Sequence, residues 1–128
     1  MNKIIIDVKT NDDHQNFSFN GKLKKDDQYV LVYDDMSGNT VTNNVLTFDE
    51  DLLTIVRSGA VVTEMIFQKH MLIPCEYEAL SLKDSFEIYT KEYKLKNTED
   101  RLEINLEYDL MSGAELINTF IMKIAVIK

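Results

Sequence analysis

Tryptophan is absent from this 128-residue chain, cysteine and proline occur once each, glycine four times and arginine twice. The lone Cys75 rules out an intrachain disulfide, and with it the disulfide-stapled scaffolds of small secreted domains, so a reducing, cytoplasmic setting is expected. Arginine is confined to Arg57 and Arg101 and the formal net charge is −8. The chain therefore lacks the bidentate forks and the positive field that a nucleic-acid partner requires. No apolar run is long enough for a signal peptide or a membrane span; the N-terminal one is only Ile4, Ile5 and Ile6 between Lys3 and Asp7, and no membrane partner is expected. Catalytic signatures are missing as well. There is no GxSxG, P-loop or GxGxxG, and the acidic clusters Asp34-Asp35 and Asp49-Glu50-Asp51 fall in turns, where acidic residues are common. His14 and His70 sit in separate polar turns without zinc-ligand spacing to Cys75. Cys75 shares a face with Ile73 and Tyr77 as a small buried hydrophobe. No catalytic residue, metal or cofactor is assigned, and the chain is read as a non-enzyme.

What is present is an ordinary globular balance, 45% apolar and 28% charged, at the size of one domain spanning residues 1–128. The dominant signal is period-two alternation. Ile4, Ile6 and Val8 alternate with Ile5, Asp7 and Lys9 before the polar cluster Asn11 to His14. Phe17 and Phe19 share a face with Gly21 and Leu23, where Gly21 marks a bulge or a close backbone approach. Tyr29, Leu31 and Tyr33 oppose Val30 and Val32, and the chain returns from Asp34 to Gly38 through a strand around Thr40 to Phe48. After the turn Lys96 to Asp100, Leu102, Ile104, Leu106, Tyr108 and Leu110 line one face and Glu103, Asn105, Glu107 and Asp109 the other, the mark of a strand with one buried side. Pro74 inside the run Met71 to Tyr77 cannot donate to a ladder, so that strand should be an edge or bulge there. No segment holds a helical period for ten residues; Glu76 to Leu82 comes nearest.

The organising stretch is Leu52 to Phe67, two β-rich runs joined at Ser58-Gly59, which predicts a central hairpin. Alternation places Arg57 on the face of Leu53 and Ile55, the apolar one. A guanidinium there either binds a carboxylate or phosphate, or pairs internally with turn carbonyls or with an acid such as Asp35 or Glu107. Short strands separated by polar turns predict an all-β, single antiparallel up-and-down barrel of about ten strands with little helix, closure removing exposed edges; a sandwich is the alternative. Tyr33-Asp34-Asp35-Met36-Ser37-Gly38 and Tyr108-Asp109-Leu110-Met111-Ser112-Gly113 share a turn recipe, as turn residues would in any two hairpins.

The order of Tyr29 to Tyr33 with Asp35, then Val56-Arg57-Ser58-Gly59-Ala60-Val61 with Phe67, then Thr90, and Leu102 to Leu110 with Gly113, resembles the bacterial YwiB-like proteins. The resemblance runs from Gly21 onward and implies a calycin-like barrel, akin to lipocalins and fatty-acid-binding proteins, with no established activity. The chain departs from that pattern at Leu80 to Leu82, where a small turn residue and a glycine would be expected. It also lacks the lipocalin tryptophan.

Two functions stay open. One is a small-molecule binding module for a partly apolar, anionic ligand, held by Arg57 with Tyr33, Tyr77 and Tyr108 lining the site. The other is a structural or interaction barrel with a filled interior acting as a homodimer. Its motive is the final run, where Ile117, Ile121, Ala125 and Ile127 form one apolar row and Phe120, Met122, Ile124 and Val126 the other, whereas a barrel needs to bury only one. A filled or nearly filled interior suits a barrel this small.

Overall fold

In the computed structural model, which describes Met1–Lys128, the alternating runs form ten strands: β1 (Asn2–Lys9), β2 (His14–Lys25), β3 (Tyr29–Ser37), β4 (Thr40–Phe48), β5 (Leu52–Gly59), β6 (Val61–Gln68), β7 (Leu72–Ala79), β8 (Leu82–Asn97), β9 (Arg101–Ser112) and β10 (Glu115–Ile127). Each pairs antiparallel with its neighbours in sequence, and β1 pairs with β10, which closes the sheet into a barrel. The sandwich alternative is thereby set aside. There is no helix, so none long and apolar enough to cross a membrane, and Glu76 to Leu82 lies in strand and turn.

Closure follows from the alternation. Ile4 and Ile6 of β1 stand opposite Val126 and Ile124 of β10, and all four are buried. With Leu31, Leu46, Phe48, Leu53, Leu102 and Ile104 they pack the half of the barrel nearer the termini. Two contacts reach across the lumen. The Phe67 ring of β6 meets Tyr108 of β9 edge-on at 4.8 Å, and the Tyr93 hydroxyl of β8 donates to the Asp49 carbonyl beyond β4 at 2.7 Å. Together with the buried cluster of 18 residues, these contacts pack the interior with side chains.

Glycine is required at two positions. A Cβ on Gly21 would lie 2.5 Å from the Val32 carbonyl oxygen and 2.7 Å from Ile4 Cδ1, so the close approach read from the sequence is the operative one. Gly59 combines φ +99° with a carbonyl oxygen, that of Val41, 2.5 Å from where a Cβ would sit; no other residue closes the β5–β6 hairpin without strain.

Local irregularities redirect side chains. β6 and β7 pair only through Val61, Val62 and Thr63 with Ala79, Glu78 and Tyr77. Towards Pro74 the ladder opens, as a residue without an N–H dictates, and Thr63 Oγ1 bonds the Glu76 carbonyl at 2.6 Å instead. A register shift in β8 between Thr90 and Glu92 lets both Thr90 and Tyr93 face inward and turns Lys91 out to Glu107 and Asp109, each at 3.2 Å. The β7–β8 turn carries Leu80 and Ser81 at φ 53° and 63°, so ordinary side chains occupy the left-handed positions where the family pattern led one to expect glycine.

Candidate functional site

Five hairpin turns gather at the barrel end away from the termini, and there the interior changes character. Tyr33, Asn44, Arg57, Thr63 and Tyr77 follow one another as directly opposed residues across β3 to β7. All five lie on the inner side, because each shares parity with buried neighbours: Leu31 for Tyr33, Leu46 for Asn44, Ile55 for Arg57, Phe67 for Thr63 and Cys75 for Tyr77. On β8 and β9, Thr90 pairs with Tyr108, and the Thr90 carbonyl accepts from the His70 N–H of the β6–β7 turn at 2.7 Å. A belt of polar side chains thus crosses the inner wall from β3 to β7.

Arg57 is its centre. None of the ion pairs in the structure includes it, and its Nε is buried without a hydrogen-bond partner. Of the two acids offered by the sequence as internal partners, Glu107 is on the outer surface with Lys91. Asp35 faces inward near Tyr33 but makes no ion pair with Arg57. Burial pushes the Tyr33 hydroxyl up to about 12, opposed by the Arg57 charge and reinforced by Asp35. Burial raises Tyr108 further, again opposed by Arg57. Tyr33 is on β3 and Tyr108 on β9, neither adjacent to β5, so a cation that both sense projects into the lumen between them.

Two further polar atoms of the interior are buried and unbonded: Asn44 Oδ1 and Thr90 Oγ1. Asn44 donates its amide to the Thr42 carbonyl at 3.2 Å, which leaves its oxygen facing the space beside Arg57. Native interiors rarely leave such atoms unpaired. Aromatic rings cover the belt from β2, β3, β9 and β10: Phe19 stacks on Tyr33 at 4.7 Å, and Phe120 on Tyr108 at 4.9 Å. The arrangement can accept a small negative group at Arg57 with a donor directed at Asn44, flanked by apolar rings.

Asn44, Thr63 and Thr90 were not singled out in the sequence, although the parity rule that flagged Arg57 applies equally to Asn44 through Leu46 and Phe48. The remaining candidates fall elsewhere. His14 bonds Asp7 at 2.7 Å on the surface, and His70 occupies the β6–β7 turn with φ 66°. Cys75 is buried, its sulfur 3.4 Å from Thr63 Oγ1. A hollow of about 590 Å³ at the opposite end is lined by Lys25, Tyr29, Asp49, Glu50, Asp51, Leu95 and Asn97. Its Asp49 carboxylate is already engaged by the backbone N–H groups of Asp51 and Leu52 and by Gln28, which makes it a turn-holding group. On β10, Phe120, Met122, Ile124 and Val126 face the interior, while on the outer row Ile117 and Ile121 are 48% and 51% exposed, Lys123 follows Ile121, and Ala125 is buried.

Residues 1–124 match the family model described as a domain of unknown function, DUF1934. The fold is similar to the crystal structure of the ywiB protein from Bacillus subtilis, with a TM-score of 0.81 and 17% sequence identity over 98% of this chain and 88% of that one. No curated protein matches the chain.

Proposed function

The chain belongs to the DUF1934 family, described only as a domain of unknown function, and from that premise we propose that it is a binding module for a small, partly apolar anion. The ligand's charged head sits against Arg57 at the turn-rich mouth of the barrel. The observation that carries this reading is the unpaired guanidinium, whose Nε is buried and unbonded. A buried donor left without an acceptor costs about 1–3 kcal/mol, and a leucine or methionine at position 57 would remove that cost. An arginine kept there fits a partner that arrives from outside the chain. Tyr33 and Tyr108 flank the head, Asn44 Oδ1 accepts from an N–H or O–H elsewhere on the ligand, and Phe19 and Phe120 contact the apolar part. Tyr77 continues the same belt through Thr63. Because the lower barrel is filled, the ligand is held at the mouth and is small.

Native mass spectrometry of freshly purified protein tests this most directly. A copurified mass that leaves on acidification and is absent from Arg57→Leu protein is expected. Repeated preparations carrying nothing, together with flat thermal shifts against fatty carboxylates, nucleotides and hydrophobic dyes, would remove the reading.

A further inference from the structure

The outer wall of β3, β4 and β5 carries a strip of adjacent exposed valines. Lys22, Val32, Val45, Val56 and Glu64 are successive directly opposed residues across β2 to β6, all on the outer side. The three valines are 43%, 36% and 40% exposed. The next row along the strands, Val30, Thr47, Thr54 and Ile66, is also uncharged and β-branched. By contrast, the outer side of β8, β9 and β10 is laced with ion pairs, among them Lys91 with Glu107 and Asp109, and Lys123 with Glu103. Contiguous exposed apolar surface of this kind marks a contact site. Each strand of this wall is paired on both sides, so a partner docks on it face to face.

We propose that this wall takes a second copy of the chain through a two-fold interface whose axis runs along β4 at Val45. The row is self-complementary about that axis, since it reads cation, three valines, anion. Reversal across the axis sets Lys22 over Glu64 of the second copy, Val32 over its Val56, and Val45 over its Val45, as an isologous interface demands. Neither Lys22 nor Glu64 has an ion pair within its own chain, so both charges are free for the intermolecular contact. Each dimer would contain the pair twice. The inference is independent of the Arg57 site, which faces the lumen of the same strands.

Sedimentation velocity over a micromolar concentration series tests it with surface variants. Wild-type protein should dimerise. Val45→Lys, which sets two like charges on the axis, should give a monomer with an unchanged circular-dichroism melt. Lys22→Glu and Glu64→Lys singly turn two attractions into two repulsions and should each weaken association roughly tenfold. The double exchange should restore it to within a few-fold of wild type, which no unfolding artefact would do. A wild-type monomer throughout, a dimer indifferent to Val45→Lys, a double exchange no better than the singles, or a dimer lost instead on Ile121→Lys would each overturn the proposal.

Discussion

The two halves of the barrel interior are built by the same ten strands and the same alternation, yet they solve opposite problems. Towards the termini, Ile4, Leu31, Leu46, Phe48 and Leu53 are each 0% exposed, and the neighbouring polar group, the Tyr93 hydroxyl, finds the Asp49 carbonyl. Towards the turns, the neighbouring Asn44 Oδ1 and Arg57 Nε are buried without partners. One half follows the rule that buried polar groups are satisfied and the other breaks it at two directly opposed residues. Local violations of that kind concentrate where a protein retains a site at some expense of stability. The stability of this fold should therefore reside in the lower half and its binding capacity in the upper.

The sharpest contrast comes from truncation. Leu46→Ala should destabilise by about 3–5 kcal/mol, because it removes a fully buried side chain from a filled core. Thr90→Val should be neutral or mildly stabilising, because it replaces an unbonded hydroxyl by a methyl of the same shape. Urea midpoints of the two variants decide this, and equal losses would erase the distinction between packed and unsatisfied interior positions.

Alkaline titration isolates the upper half next. Tyr33 titrates in the folded state near 12 against 10.0 for the free side chain, so the folded form holds its proton while the unfolded chain releases it. Stability is unaffected below about pH 10 and falls by roughly 2–3 kcal/mol as pH rises towards 12. Tyr108 and Tyr93, also raised by burial, act in the same direction. Tyr33→Phe should reduce the decline, measured as the urea midpoint at pH 9 and pH 11. The same slope in wild type and variant would mean that Tyr33 is not the buried phenol described.

The smallest effect lies at the rim of the upper half. Leu80 and Ser81 hold left-handed φ angles that cost a bulky residue about 1 kcal/mol. Replacing the pair by Asn-Gly, the favoured sequence for such a two-residue hairpin, should raise thermal stability by roughly 1 kcal/mol, read by differential scanning calorimetry. A loss would show that the leucine is held by contacts rather than tolerated.

Most of the architecture was legible in the sequence because a closed antiparallel barrel makes every strand half wet, so inside and outside are written as strict alternation. Leu102 to Leu110 against Glu103 to Asp109 is the plainest case, and Arg57 was visible by the same parity. The irregularities were not legible. The bulge at Lys91 changes which residues of β8 face inward and turns Lys91 out to Glu107 and Asp109, but a single inserted residue leaves no compositional mark. Nor does the sequence say that Phe67 and Tyr108 meet across the lumen and fill it, since that depends on how far the walls approach. The double apolar pattern of β10 was visible, but Lys123 in its outer row and the exposed valines of β3, β4 and β5 became informative only once the register was known.

The central claim is that Arg57 serves a partner from outside the chain and not the fold itself. Chemical denaturation of Arg57→Leu against wild type, in ligand-free protein, tests it. A midpoint equal to or above wild type is expected, since a buried donor without an acceptor is exchanged for hydrocarbon. A loss of about 2 kcal/mol or more would place Arg57 among the structural residues of the barrel and contradict the account.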